Sequence, residues 1–283
     1  MNVTYESVKN SDGTLWISHS GLVDFKICPR AYYLKHLYRN PATGNKIRVT
    51  NPFLSLGTAV HYVLEGLANL EPQDRFFIPL VDRLEKVWPT FRGKKGGFNT
   101  QPQERFFKKR GVEMLYNLQN NPRLMLNSAY CMENTLPKIK LFADQEIVLV
   151  GSLDWIEKLS DGSAHIVDFK TSQSEESGES LQLPIYVLLA QYHLKVPIAK
   201  TSYWYLDKKI GIIKEIKLSS TNYYINLLRE KALQIKASIE NGDLETCTGG
   251  KKCDCVKYEK AINGEAQYVG CDKVMNRDLF YLG

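Results

Sequence analysis

Asp154, Asp168 and Lys170 are the residues whose types and spacing could do chemistry. Asp168 and Lys170 stand two apart in IVDFKTSQ (166–173), which opens on apolar β-formers and reads as a strand. Residues i and i+2 of a strand share a face. An acid and a base on an inner face are costly to desolvate unless they have a partner or a task. Asp154 lies upstream in GSLDWIEKL. Between the two segments stands Ser160-Asp161-Gly162, a good three-residue hairpin loop with glycine at the φ > 0 position. If Leu159 faces Ser163, then Asp154 faces Asp168, with Cβ atoms about 5 Å apart. Carboxylates that close repel unless one is protonated or a cation lies between them. Hard oxygens at this separation suit Mg2+ or Mn2+. Lys170, one step along, can orient a water or stabilise charge developing on a phosphate. The plain alternative for this triple alone is a surface hairpin with scattered charges.

Gln182 and Tyr186 sit four apart, on one face of the next expected helix, and both can hydrogen-bond a phosphate or a metal's waters. His61 lies inside the apolar helix GTAVHYVLE, where a lone histidine is ordinarily a satisfied core residue. Taken in order, GTAVHYVLE, GSLDWIE, IVDFKT and QLPIY resemble the motifs of the PD-(D/E)XK nuclease superfamily. They are most similar to its RecB-like branch, which includes the nuclease domains of RecB and AddB and the iron–sulfur nucleases of CRISPR adaptation. The resemblance covers roughly residues 17–275. It implies a restriction-endonuclease-like α/β fold with a central mixed sheet flanked by helices. It implies that Asp154, Asp168 and the Phe169 backbone carbonyl are metal ligands, with His61 as an additional one. Lys170 would be the catalytic lysine, and Gln182 and Tyr186 match the Q-x-x-x-Y motif that helps place the DNA strand. Glu146 resembles an acidic position that precedes the first aspartate. The "PD" here reads Leu153-Asp154, a departure common in the branch.

The chain has six cysteines. Cys28 stands near the start, in FKICPRAYYL, and Cys247, Cys253, Cys255 and Cys271 cluster near the end. This arrangement resembles the iron–sulfur staple of AddB and the CRISPR nucleases, in which four thiolates hold a [4Fe–4S] cluster that ties the chain ends together. The spacing departs from the family's C-x2-C-x5-C, so which of the tail cysteines join Cys28 stays open. A zinc site built from the four tail cysteines is the rival. In either case the metal would pin a polar tail unable to order itself by burial. Cys131 is expected to be a buried thiol in a strand.

The segment FRGKKGGFNTQPQERFFKKR (91–110) mixes cations with phenylalanine. Lys94, Lys95, Arg105, Lys108 and Lys109 could meet phosphates while bases stack on an exposed ring, the alternative being a solvated loop and helix face. YWYLDKK (203–209) reads as a core strand.

These residues need elements to position them. Ser18 or Ser20 can cap a helix SGLVDFKI, and Pro29 stops it or opens the next. Residues 40–50 read as a loop; 53–70, 78–91 and 101–120 read as helices. CMENTLPKIKL, QEIVLVGSLDWIEKL and AHIVDFKT read as strands, 180–195 as a helix capped by Ser180, TSYWYLDK and IGIIKEIKL as strands, and 220–241 as a long helix. The expected organisation is one nuclease domain over 1–283: a helical lobe (17–125), a core (126–241) and a Cys-rich, metal-stapled tail (242–283).

Hydrophobic content of 43% and charged content of 24% in 283 residues are those of an ordinary globule with ample core. A net charge of +6 is compatible with a polyanionic partner without being diagnostic. The polar opening MNVTYESVKNSDG lacks the apolar core of a secretory leader, and no apolar run approaches membrane-spanning length, so a cytoplasmic protein is expected. The combined reading is a Mg2+- or Mn2+-dependent deoxyribonuclease acting on single-stranded DNA or ends, in repair, recombination or CRISPR adaptation. The alternatives are a catalytically silent nucleic-acid scaffold, or a subunit of a helicase–nuclease or CRISPR-adaptation machine. No Walker A motif is present, so any motor would be another protein.

Overall fold

A computed structural model describes residues 14–132, 136–142, 144, 146–208, 211–250 and 253–283. The opening stretch MNVTYESVKNSDG, on which the absence of a leader was read, lies outside the described residues. In chain order the elements are β1 (Leu15–Ile17), α1 (His19–Ile27), α2 (Pro29–Tyr32), β2 (Lys46–Val49), α3 (Pro52–Glu65), α4 (Leu80–Val87), α5 (Gln101–Asn120), β3 (Lys138–Phe142), β4 (Ile147–Val150), β5 (Trp155–Lys158) and β6 (Ala164–Lys170). Then come α6 (Gln182–Leu194), β7 (Ile198–Tyr205), β8 (Ile212–Glu215), α7 (Thr221–Glu240), α8 (Asp254–Ile262), β9 (Gln267–Asp272) and β10 (Arg277–Tyr281). No described helix is long and apolar enough to cross a membrane. This is an α/β fold in which mixed sheets are flanked by helices.

The chain divides into two compact units. The first comprises residues 14–50, Lys138–Val150 and Ser220–Gly283. Strand β4, IVLV, is buried at every position and lies between β1, its parallel neighbour, and antiparallel β3. Ser18 caps α1 by accepting from the Gly21 amide at 3.2 Å, and Pro29 opens α2. Helix α7 starts at the Ser220 cap and buries Leu228, Ala232, Ile235 and Ile239, one helical stripe.

Two expectations about this unit are corrected. Residues 46–49 are a strand rather than a loop: KIRV alternates, Ile47 and Val49 point inward, and β2 pairs in parallel with β10. The tail beyond 242 holds regular structure, with α8 followed by the β9–β10 hairpin. Its buried side chains join Cys28, Leu34, Ile47 and Val49 in a small core.

The second unit comprises Asn51–Pro137 and Gly151–Ser219. Its sheet runs β5-β6-β7-β8, with β6 and β7 parallel and the outer pairs antiparallel. Helix α6 makes the crossover between β6 and β7, as parallel neighbours require. Helices α3, α4 and α5 share one core with the sheet, built from Leu56, Val60, Leu84, Leu115, Trp155, Phe169 and Trp204. A third correction falls here. QEIVLVGSLDWIEKL is two strands in separate sheets, because the chain leaves β4 at Gly151 and pairing resumes only at Trp155. The run YWYL (203–206) is a buried core strand and its continuation, as expected.

Arg75 holds the helical side of this unit together. It is 1% exposed, its Nε donates to the carbonyls of Leu67 and Leu70, and its Nη1 donates to those of Met125 and Asn127 at 2.6 Å each. The guanidinium also lies 4.8 Å from the centre of the Trp155 ring. Arg75→Met keeps much of the volume and leaves four carbonyls without this donor. It should therefore cost on the order of 3–5 kcal/mol, read as a lower urea midpoint with unchanged m.

Candidate active site

The hairpin places the two aspartates. Trp155 pairs with Val167 and Lys158 with Ala164, Leu159 meets Ser163 across the loop, and Gly162 takes φ 84°. Continued one residue, the same register sets Asp154 opposite Asp168, as the loop length predicts. Both are buried, at 7% and 1% exposure. Asp154 Oδ2 accepts from the Phe169 amide at 2.8 Å, which fixes the carboxylate across the strand pair. Its Oδ1 lies 3.2 Å from His61 Nδ1.

His61 comes from α3, one turn before Glu65, whose Oε1 is 3.5 Å from the same ring nitrogen. Donor atoms of His61, Glu65 and Asp154 all lie within 4.8 Å of one another. Burial opposes charge on the His61 ring, but Asp154 and Glu65 outweigh it and hold the imidazole well above its usual pKa. Helix α3 comes close to β6 because Gly57 is a glycine: a Cβ there would stand 3.2 Å from Thr171 Oγ1. Gly151 serves α6 likewise, since its Cβ would meet Leu189 at 3.0 Å and Tyr186 at 3.5 Å.

Asp168 Oδ1 accepts from Gln182 Nε2 at 2.8 Å. Its Oδ2 lies 2.9 Å from Lys170 Nζ as an ion pair, yet the geometry gives this buried oxygen no hydrogen bond. Burial, and then the facing Asp154, push the Asp168 carboxyl up to about 7. Lys170 donates to Gln182 Oε1 at 2.5 Å and lies 3.1 Å from Glu176 Oε1. Burial works against its charge, but Asp168 and Glu176 raise its pKa. Gln182 Nε2 also reaches Tyr186 OH at 3.1 Å. Burial, then Asp168 and Asp154, push that phenol well above its usual value. One locus thus gathers His61, Asp154, Asp168, Lys170, Gln182 and Tyr186.

Glu65 and Glu176 were not singled out in the sequence. Glu65 was legible, because it follows His61 by four on a helix and so shares its face. Glu176 lies in an irregular loop after β6, and nothing local marks it. Arg110 was also missed. From α5 it pairs with Asp207 at 2.9 Å, beyond the end of β7, and reaches the Thr171 carbonyl at 3.5 Å.

The remaining candidates lie elsewhere. Lys94 and Lys95 are exposed on the turn Gly93–Gly96. Of the α5 cations, Lys108 is taken by Glu85 at 2.7 Å and Lys109 by Glu113 at 3.7 Å, while Arg105 is exposed. Glu146 belongs to the first unit, in a turn with φ 57° whose carbonyl accepts from Leu15 N.

Sulfur atoms of Cys28, Cys247, Cys253 and Cys255 lie within 4.8 Å of one another, Cys28 and Cys247 at 3.9 Å. Cys271 stands outside this group on β9, with Asn45 Nδ2 3.6 Å from its sulfur. The chain crosses the thiols at Gly249, where a Cβ would be 2.8 Å from Cys253 Sγ. Burial raises the Cys28 thiol, but the amides of Ala31, Thr248 and Gly249 aimed at it prevail and bring it down to about 6. Burial raises both Cys253 and Cys255, with neighbouring thiols adding to Cys255. Cys131, expected in a buried strand, is exposed and lies outside any strand, its sulfur 2.7 Å from the Ala68 carbonyl. The apolar run to which it was assigned starts only at Lys138.

The sequence model of the PD-(D/E)XK nuclease superfamily matches residues 16–258. Among solved structures, that of a "Putative exonuclease" from Eubacterium rectale is similar in fold. The TM-score is 0.52 at 14% identity, over 86% of this chain and 87% of that one. No curated protein matches.

Proposed function

Because the chain belongs to the PD-(D/E)XK nuclease superfamily, we propose that it is a metal-dependent DNA nuclease of the RecB-like branch, working as an exonuclease or flap-type enzyme on single-stranded DNA or DNA ends. The observation that carries this reading is the meeting of Asp154, Asp168 and His61 in one locus with Lys170 beside them.

The residues fit a divalent cation. The donors are hard carboxylate oxygens and one imidazole, a set suited to Mg2+ or Mn2+. Asp168 Oδ2 is buried without a hydrogen bond, and the facing carboxylates repel in the absence of a positive charge. Asp154, Asp168 and His61 would hold the ion, with the Phe169 carbonyl completing the set and Glu65 close by. When bound it supplies polarisation of a phosphoryl oxygen and a water of lowered pKa.

The chain's own residues do the rest. Gln182 bridges Asp168 and Lys170, so it orients acid and base together. The Lys170 ammonium has Asp168, Gln182 and Glu176 around it. Glu176, on a loop and 30% exposed at its side chain, is the partner that an incoming phosphate displaces. Lys170 then faces the charge developing on the phosphate, or the water that attacks it. Tyr186 supports Gln182 and helps set the strand.

The test is digestion of end-labelled single- and double-stranded DNA with Mg2+ or Mn2+, wild type beside Lys170→Ala. Cleavage by wild type and its loss in the variant support the reading. Anaerobic, metal-replete wild type that binds DNA and never cuts overturns it in favour of a scaffold. Gly57→Val should also lower turnover more than about tenfold, because branching at Cβ drives α3 away from Thr171 and with it His61 from Asp154.

In the same reading the gathered thiols of Cys28, Cys247, Cys253 and Cys255 hold a [4Fe–4S] cluster, zinc being the alternative. Gly249 and the amides aimed at Cys28 favour thiolate ligands of either metal. A helicase or CRISPR-adaptation component as partner would show as an ATPase that co-purifies.

A further inference from the structure

Strands β2 and β10 set Lys46 directly opposite Arg277. Parallel neighbours point to one side, and Arg48, two along from Lys46, shares that side. Ile47 and Val49 alternate with them and point into the core around the cysteines. One face of this sheet therefore turns Ile47 and Val49 into the core, while the other carries Lys46, Arg48 and Arg277, with Leu279 opposite Arg48. Arg39 stands near them, just before the turn into β2. Like charges directly opposed across a strand pair are destabilising. Among the described residues, none of these four side chains has a hydrogen bond or an ion pair.

Of the two carboxylates nearby, Asp278 is spent otherwise and Asp272 is shared between a turn and Arg48. Asp278 lies beside Arg277 in sequence and so points to the opposite face. There it accepts from Asn40 and Asn45 at 2.7 and 2.9 Å and from Thr43 Oγ1 at 2.5 Å. Asp272 pairs with Arg277 across β9–β10, but its Oδ1 accepts from the amides of Val274 and Met275 at 3.1 Å each. Both acids shape turns. Burial, and then Arg39 and Arg277, push Lys46 down to about 8. Burial, and then Arg277, lower Arg48 as well. The fold thus gathers three half-buried cations on one sheet face, where Tyr258 and Asp272, the latter across the strand pair from Arg277, are the groups that favour the charge on Arg48.

We propose that this face, Lys46, Arg48 and Arg277 with Arg39 at its edge, binds the phosphodiester backbone of single-stranded DNA. The proposal rests on the nuclease reading for the identity of its polyanion. The occupant follows from charge complementarity. Lys46 and Arg48 repeat about 6.6 Å apart along an extended strand, a reach comparable to that between successive phosphates of a stretched single strand. The cations are offered in a row, as a backbone would meet them, rather than converging on one point as a single small anion would require.

The experiment uses the full chain in EDTA, so that nothing is cut. Anisotropy of a labelled oligothymidylate is followed against NaCl for wild type and for the triple variant Lys46→Gln, Arg48→Gln, Arg277→Gln. The expected result is at least about tenfold weaker binding at low salt. The slope of log K on log salt should fall by about 2, at about 0.7 per phosphate contact. Thermal melting should show no loss of stability, because the substitutions remove repulsion. An unchanged slope overturns the proposal. Should the triple variant not fold, Arg48→Gln and Arg277→Gln singly must each reduce the slope by about 0.7, and failure of both to do so overturns it. Capture by phosphatidylserine vesicles without binding of the oligonucleotide overturns it in favour of a lipid surface. Digestion by the triple variant separates this idea from the nuclease reading. Metal-dependent cutting with an unaltered salt slope sinks this proposal alone, whereas wild type that neither binds nor cuts sinks both.

Discussion

Asp168→Asn should abolish DNA cleavage and, without metal at pH 8, make the protein more stable. If Asp168 holds the metal as proposed, its loss removes several kcal/mol of transition-state stabilisation, so turnover should fall by about a thousandfold or more. The stability gain has a separate origin. Asp168 is 1% exposed and faces Asp154, and its carboxyl sits at about 7 against an ordinary 3.8. The folded chain therefore holds this proton more tightly than the unfolded chain does. That contribution to stability is fully present below about pH 4 and is lost as pH rises through about 7. Asparagine never ionises and can keep the Gln182 contact by presenting its amide oxygen. In EDTA at pH 8 the variant should thus exceed wild type by on the order of 2 kcal/mol, and the gap should close towards pH 4. Added Mg2+ or Mn2+ should raise the melting temperature of wild type and leave that of the variant unmoved. Urea titrations across pH, with and without metal, read both effects. A variant that is inactive yet less stable at pH 8 would mean that the carboxylate serves the fold through Lys170. A variant that still cuts would remove Asp168 from the chemistry.

The legible parts of this protein are those whose partners lie close in the chain. The Asp154–Asp168 register follows from three residues, Ser160, Asp161 and Gly162, because a hairpin loop of known length leaves no freedom in what it joins. Helices α3, α5 and α7 announce themselves by apolar period, and the structure adds caps at Asn51, Thr100 and Ser220. The strand at 46–49 does not, since its partner begins at Arg277 and four residues of mixed character resemble a loop. The break at Gly151 is hidden for the opposite reason: apolar residues continue on both sides of it, and only the assignment of β4 and β5 to different sheets reveals it. Within the candidate site, Glu176 reaches Lys170 from a loop without period, so no pattern could have nominated it. The cysteines show the limit most clearly. Spacing names five that could join a cluster, but only the course of β9 sets Cys271 apart from the other four.

If the four gathered cysteines hold a metal as proposed, Cys28→Ser, Cys253→Ser and Cys255→Ser should each strip it and melt the small core of the first unit, whereas Cys271→Ser should do neither. The thiols are part of that core: Cys28, Cys253 and Cys255 are buried among Leu34, Ile47, Val49 and Tyr258. Helix α8 has nine residues, too few to persist without its packing. Structural metal sites contribute on the order of 10 kcal/mol to folding, a term comparable to what a core of this size supplies by burial. Without metal the arrangement works against itself. Amides draw Cys28 towards thiolate at about 6, while burial and sulfur neighbours push Cys253 and Cys255 to stay protonated. A cation reverses that conflict by accepting all four as thiolates, so its removal should lower the melting temperature by at least about 10 °C. The measurement is metal and inorganic sulfide content after anaerobic purification, with melting curves for each variant. Iron with sulfide and a brown colour identifies a cluster, and zinc without sulfide identifies the simpler site. Asp168→Asn, whose carboxylate lies in the second unit, should retain this metal in full. If Cys271→Ser loses the metal as the others do, the ligand set includes a thiol that the fold holds apart, and the assignment of these four cysteines is wrong.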